Sequence, residues 1–268
     1  MILWLFFCLS AVTTIIYIQL ASVGFSQAWK AVLVFAAAFL AFNVIYLSFL
    51  AVVSIFISTK PLRKQSLICR WGVAGVAGMA CGYCWMRTHI SGEDKLPKNS
   101  RFLVVSNHRS GFDPLVFMSS LSAYNIAFIS KQSNLNIPVL GRIGYGAGCL
   151  PIDRENNREA LKTINQAAEY IENDFCSMGI FPEGTRNHSK ELLPFKAGAF
   201  KIAKKANVPV VIASVKGTES WKSKLLRGGS DVYLDILEVI PAESVAEMTT
   251  RELSDRAVEL IEANLNKA

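Results

Sequence analysis

The chain has 268 residues, of which 51% are apolar and 18% charged, against about 45–50% and about 25% in an ordinary soluble domain. That composition excludes a disordered segment, a collagen-like chain and a small disulfide scaffold. Charge is also uneven: no Asp or Glu precedes Glu93, and Lys30 is the only basic residue before Lys60.

Residues 1–29 and 31–59 carry no charged side chain. About 20 apolar residues, each rising about 1.5 Å, cross the hydrocarbon core of a bilayer. Both stretches exceed that length, so residues 1–59 are expected to form two transmembrane helices. A cleaved signal peptide would need a basic start and a shorter apolar run. Lys60, Arg63, Lys64 and Arg70 follow the second stretch. The positive-inside rule places them, and the N-terminus, in the cytoplasm. Residues 71–86 are again uncharged, but only 16 long and rich in Gly and Ala. An interfacial segment suits that length better than a span. Residues 60–90 are therefore expected to be a basic linker plus an interfacial apolar segment. Within them Cys81 and Cys84 form a C-x-x-C pair. It lacks both a second pair and a βαβ context, so it reads as structural filler.

The remaining residues, 91–268, alternate strand-like and helix-like segments. A short buried strand is expected at 101–106 and a helix at 114–123. A strand follows at 125–130, then a short extended piece at 148–153. The helix at 155–173 presents Leu161, Ile164, Ala168 and Ile171 on one face. A brief strand at 179–182 precedes a helix at 195–206. Residues 208–215 are apolar and β-branched, as in a strand buried on both faces. Residues 231–239 alternate polar and apolar. A last helix starts near Thr249, where Thr249 and Glu252 make a capping box. The fold class is α/β, with a central mixed sheet flanked by helices.

Two strand-end turns carry chemistry. The first runs Ser106-Asn107-His108-Arg109-Ser110-Gly111-Phe112-Asp113-Pro114. On an ideal helix a five-residue separation turns about 500°, so His108 and Asp113 would not share a face. They meet if His108 sits in the turn and Asp113 begins the helix. Asp as N-cap and Pro as first helical residue agree with that. A carboxylate on one imidazole nitrogen fixes the tautomer and leaves the other to take a proton from a hydroxyl. The second turn, Phe181-Pro182-Glu183-Gly184-Thr185-Arg186, places an acid, a glycine, a hydroxyl and a guanidinium together, with Lys196 downstream. Arg grips phosphate, and Gly lets a ligand approach the backbone. The glycine-rich run 141–148 fits no phosphate-loop pattern and reads as a pocket wall or a turn. His89 and His188 lack companion ligands and read as solvated.

Together these residues resemble the glycerolipid acyltransferase family. Asn107-His108, four residues, then Asp113 matches its first motif, and Phe181–Arg186 matches its Phe-Pro-Glu-Gly-Thr-Arg motif intact. Gly148 through Arg154, Val208-Pro209 and the Lys131, Pro138, Gly141 spacing match its other motifs in order. Cys149, Pro151 and Ile212-Ala213-Ser214 depart from the commoner forms of two of them. The resemblance implies a glycerol-phosphate-acyltransferase-like domain over 91–268. It also implies His108 as base with Asp113 orienting it. Glu183, Gly184, Thr185 and Arg186 then bind a glycerol phosphate moiety, and Lys131 and Arg154 contact phosphate or donor. The implied reaction moves an acyl group from a thioester of coenzyme A or acyl carrier protein to the sn-2 hydroxyl of lysophosphatidic acid. It needs no metal and no other cofactor, because the thiol is a good leaving group. The implied partners are membrane lipid, lysophosphatidic acid and the thioester. The implied place is an integral membrane protein with its site on the cytoplasmic face. Glycerol 3-phosphate or another lysophospholipid is the alternative acceptor. A non-catalytic lipid-binding protein is the alternative class. Dispersed positive charge without a reading motif argues against nucleic acid.

Overall fold

The structure is a computed structural model describing residues 2–267 except Arg63, His188 and Lys190. The chain forms two compact units, Met1–Ile57 and Ser58–Ala268.

The first unit is a pair of packed helices, α1 (Ile2–Leu20) and α2 (Ala28–Ile55). Phe6 stacks on Phe42 at 6.3 Å and meets Tyr46 edge-on, while Phe7 meets Phe35 edge-on. Most other apolar side chains, including Leu20, Val32, Leu40 and Ile45, point outward. Ser10, Thr13 and Asn43 each donate to a carbonyl of their own helix. Two helices, Ile2–Leu20 and Phe25–Ile55, are long and apolar enough to cross a membrane.

The second unit runs α3 (Leu67–Tyr83), β1 (Met86–Ser91), β2 (Leu103–Ser106), α4 (Asp113–Ser120), β3 (Ile126–Lys131), α5 (Gln132–Leu135), α6 (Leu140–Gly146), β4 (Leu150–Ile152), α7 (Asn157–Glu172), β5 (Ser177–Ile180), α8 (Lys201–Ala206), β6 (Val210–Lys216), α9 (Trp221–Lys224), β7 (Ser230–Ile240), α10 (Ala242–Glu247) and α11 (Thr250–Leu265). The seven strands form one sheet in the order β1-β7-β6-β2-β5-β3-β4. β6, β2, β5, β3 and β4 run parallel, and β7 returns antiparallel beside β6 with β1 parallel to it. The sheet is therefore mixed and central, as expected. β2 and β5 are buried throughout, and so is β6 up to Lys216, which explains why they read as continuous apolar runs. Helices α3, α4 and α6 pack together, as do α7, α8 and α10, and the core between helices and sheet holds Phe102, Phe117, Tyr170, Phe200 and Ile212.

Residues 60–90 take part in this unit. Helix α3 buries Cys69, Gly72, Ala77, Met79 and Cys81, with α4 and α6 as its neighbours, and leaves Leu67, Ile68, Trp71 and Tyr83 outside. Small residues let these helices approach closely, so a Gly- and Ala-rich run here serves packing. All six cysteines are free, and burial pushes the Cys81 thiol up to about 11. The glycine-rich run 141–148 is mostly helix α6, ended by Gly148 at φ +101°. A Cβ there would sit 2.8 Å from Cys176 Sγ, so only glycine fits.

Strand β1 was not expected; it leaves His89 exposed, as the sequence suggested, but gives it partners. His89 Nε2 lies 3.0 Å from Asp231 Oδ1, and its ring stacks on Tyr233. Arg87 grips the same carboxylate with two N–H bonds, at 2.9 and 3.0 Å. These partners hold the Asp231 carboxyl far below the usual carboxylate range. The expectation for His188 falls outside the described residues.

Candidate active site

Because β6, β2 and β5 are adjacent and parallel, their carboxyl ends open side by side. Ligands of open α/β sheets bind at such ends. Each strand delivers one segment: Asn107–Asp113 after β2, Phe181–Arg186 after β5 and Gly217-Thr218 after β6.

Asn107 is fully buried and locks the first segment to β6. Its Nδ2 donates to the Val215 carbonyl at 2.8 Å, and its Oδ1 accepts the Val215 N–H at 2.9 Å. His108 is then held from both sides of its backbone. Its N–H donates to Glu183 Oε1 at 2.6 Å, and its carbonyl accepts the Asn187 N–H at 2.7 Å. The second Glu183 oxygen accepts the Leu193 N–H at 3.2 Å. The imidazole lies flat on Phe181, with ring centres 4.2 Å apart and planes 11° apart, and Phe181 rests in turn on Phe128.

His108 Nδ1 lies 2.8 Å from Asp113 Oδ2. The same oxygen accepts the backbone N–H groups of Arg109 at 2.7 Å and Ser110 at 2.8 Å. The other oxygen accepts the Thr218 hydroxyl. Asp113 is thus fully buried with four donors around it. It is the first residue of α4 and is followed by Pro114, but its side chain does not cap the helix. The carboxylate turns back into the 108–110 turn, because that turn offers two free N–H groups and the imidazole together. The N-cap expectation is corrected accordingly. Since a carboxylate accepts, Nδ1 carries the proton, and in the neutral ring Nε2 holds the lone pair. Nε2 has no hydrogen-bond partner among the described residues.

Three cavities surround these turns. A polar one of about 690 Å³ is lined by Lys131, Arg154, Glu183, Gly184, Thr185 and Lys196 among others. An apolar one of about 450 Å³ is lined by Ile129, Leu161, Ile164, Ile180 and Phe181, and shares Ile152, Arg154, Gly184 and Lys196 with the first. Leu161, on the expected apolar face of α7, is exposed here because it faces this cavity rather than the core. Gly184 adopts φ +73°, and a Cβ there would meet the Lys196 ammonium at 3.3 Å. Burial and the nearby Arg186 guanidinium both lower the pKa of Arg154.

The structure therefore brings Lys131, Arg154, Glu183, Gly184 and Thr185 to one cavity wall. It does not bring Arg186 there. The Arg186 guanidinium lies over Gly111, where a Cβ would be 3.2 Å from its Nη2, and it lines a third cavity of about 430 Å³. Thr218 and the Asn107 bridge were not expected from the sequence. Among the described residues no three His, Cys, Asp or Glu side chains converge as a metal site would need.

A family model described as Acyltransferase matches residues 87–216. The chain is 28% identical over 214 residues to a 1-acyl-sn-glycerol-3-phosphate acyltransferase of Haemophilus influenzae, covering 78% of this chain and 85% of that one. It is 30% identical over 173 residues to the alpha form of 1-acyl-sn-glycerol-3-phosphate acyltransferase of Homo sapiens, covering 64% and 61%. A putative enzyme of the same name from Caenorhabditis elegans matches at 28% over 65% of this chain and 63% of its own length. The match thus spans about three fifths of these two animal relatives. The solved 1-acyl-sn-glycerophosphate acyltransferase PlsC of Thermotoga maritima superposes with a TM-score of 0.64 at 21% identity, over 84% of this chain and 90% of that one.

Proposed function

We propose, because this chain belongs to the acyltransferase family, that it moves a fatty acyl group from an acyl thioester to the sn-2 hydroxyl of lysophosphatidic acid, giving phosphatidic acid. The observation that carries this reading is the His108–Asp113 pair, with Nε2 unengaged, beside a cation-lined cavity that merges with an apolar one. That pair of cavities suits an amphiphile: an anionic head among Lys131, Arg154 and Lys196, and an acyl chain against Ile129, Leu161 and Ile164.

In this reading His108 Nε2 takes the proton of the acceptor hydroxyl as its oxygen attacks the thioester carbonyl. Asp113 stabilises the imidazolium that forms. The tetrahedral intermediate collapses, the C–S bond breaks, and the imidazolium returns the proton to the departing thiolate. Glu183 acts by holding the His108 backbone, since both its oxygens already accept N–H groups. Arg154 gains from an anion, which relieves its repulsion with Arg186. Helices α1 and α2 keep the enzyme at the bilayer that holds its acceptor and product, and Lys60, Lys64 and Arg70 set the catalytic unit on the cytoplasmic side.

The test is acyl transfer by the detergent-solubilised protein. Lysophosphatidic acid and a fatty acyl-coenzyme A are offered, and thiol release and lipid product are followed. Phosphatidic acid should form, and glycerol 3-phosphate, which lacks a chain for the apolar cavity, should be a poor acceptor. Absence of product with every lysolipid and both kinds of thioester would overturn the reading.

A further inference from the structure

The segment that leads from α2 into the second unit is clamped to one end of the sheet, and the site opens at the other. The Leu62 N–H donates to the Tyr170 hydroxyl at 2.7 Å, and the Ser66 N–H donates to the Gly146 carbonyl at 3.1 Å. The Gln65 and Asn125 side chains exchange hydrogen bonds of 2.9 and 2.8 Å. Tyr170, Asn125 and Gly146 precede β5, β3 and β4, so these anchors lie at the amino ends of the parallel strands. The catalytic turns follow the carboxyl ends. The anchored segment therefore leaves the catalytic end without an attachment of its own.

The loop between α9 and β7 lies at that catalytic end. Strand β7 runs antiparallel to β6, with Tyr233 opposite Lys216, so Ser230 stands beyond the carboxyl end of β6. Strand β1 starts beside it, with Met86 opposite Ser230. The loop carries Leu226, which is 96% exposed, and packs against the backbone of Trp85, which is 66% exposed. Backbone bonds fix the loop in this form. The Arg227 and Gly229 N–H groups donate to the Lys224 carbonyl at 2.9 and 3.0 Å, and Arg87 donates to the Gly228 carbonyl at 2.9 Å. Gly229 adopts φ +87°, and a Cβ there would lie 2.1 Å from the Trp85 carbonyl oxygen, so the close seat needs glycine. Lys222, Lys224 and Arg227 are exposed on either side of the leucine in the chain. The acids that flank this stretch are engaged: Glu219 Oε2 accepts the Gly217 N–H at 3.0 Å, and Asp231 is held by Arg87 and His89.

An exposed leucine and tryptophan among free cations fit the boundary of a bilayer. Tryptophan settles at the headgroup level, an apolar tip enters the acyl region, and Lys and Arg meet anionic headgroups. We propose that the loop 222–229 and Trp85 form a second membrane contact, which seats the catalytic end of this unit on an anionic leaflet. Leu226 and Trp85 enter the interface, and Lys222, Lys224 and Arg227 bind lipid phosphates around them. The contact acts where the spans do not, at the end of the sheet on which the polar and apolar cavities open. Its consequence for turnover rests on the acyl-transfer reading above, and its binding to lipid does not.

Amide exchange of the full-length protein tests it, in detergent, in nanodiscs of phosphatidylcholine and in nanodiscs that also contain phosphatidylglycerol. Deuterium uptake at residues 222–229 should slow about tenfold in the anionic discs relative to detergent, and high salt should reduce the effect. Leu226→Glu and Lys224→Glu should each remove the slowing and leave the melting temperature unchanged. Equal uptake in detergent and anionic discs would overturn the proposal, and so would slowing that ignores lipid charge. Slowing already present in detergent that grows with protein concentration would assign the loop to a second copy of the chain instead. Kinetics give a separate reading. Leu226→Glu should raise the apparent KM about tenfold for lysophosphatidic acid embedded in anionic discs, and leave it unchanged for a short-chain acceptor dissolved as monomers. An equal change for both acceptors would place Leu226 in the fold or the site and overturn the proposal. Failure of all turnover would strike the acyl-transfer reading, and amide exchange would still decide whether the contact exists.

Discussion

Asp113 is the most constrained side chain in the second unit, and its four donors come from two ends of the chain. Three lie within five residues of it, and the fourth, Thr218, is 105 residues away. Breaking a buried hydrogen bond to a charged group costs about 1.5–3 kcal/mol. Thr218→Val should therefore lower the melting temperature and cut kcat by about tenfold, because the imidazole loses its fixed partner. Thr218→Ser should restore both. A Val variant with wild-type kcat would remove Thr218 from the account. Glu183 gives a second residue-scale test. A Gln there keeps the shape but turns an NH₂ toward one of the two N–H groups it now accepts. Glu183→Gln should lower kcat and leave the acceptor KM unchanged if the residue positions His108. A rise in acceptor KM alone would return it to phosphate binding. The His108–Asp113 pair was legible in the sequence because both residues lie in one local turn. Thr218 was not, because its contact exists only once β6 has aligned beside β2. The direction of Arg186 was equally hidden, since it depends on the open space above Gly111.

At the scale of elements, the site depends on the close pairing of β2, β5 and β6. Gly179 in β5 faces Phe128, and a Cβ there would lie 2.4 Å from the ring. Phe128 supports Phe181, which supports the His108 imidazole. Gly179→Ala should thus destabilise the fold by about 1–3 kcal/mol and reduce activity together, as read by denaturant melts and kcat. The buried strands were legible as apolar runs. Strand β1 was not, because an exposed edge strand carrying Arg87, Thr88 and His89 has no apolar pattern to read. Its attachment should respond to acid. Arg87 and His89 depress the Asp231 carboxyl, so their contribution is present above the usual carboxylate range of about pH 4 and fades as pH falls below it. The protection of β1 amides, taken relative to their intrinsic exchange rate at each pH, should fall on acidification, and Asp231→Asn should abolish that dependence. Protection that stays unchanged in acid would contradict the pairing.

At the scale of the molecule, the two units differ in what they do with apolar surface. The second buries it in a core, and the first displays it on nearly all sides, as helices in contact with lipid do. The protein should stay with membranes through a high-salt wash and leave them only in detergent. Release by salt alone would contradict the reading of α1 and α2. Those helices were legible because length and composition suffice. Helix α3 was harder, because a short Gly- and Ala-rich run reads alike whether it meets lipid or packs on protein, and it packs on α4 and α6.

The central claim is that His108 is the base of an acyl transfer. The measurement that tests it most directly compares wild type with a folded His108→Ala protein, at saturating lysophosphatidic acid and acyl thioester, following thiol release. Removing a general base should lower kcat by about 10²–10⁴, with the melting temperature and both KM values little changed. A His108→Ala protein that turns over within a few-fold of wild type would contradict the account.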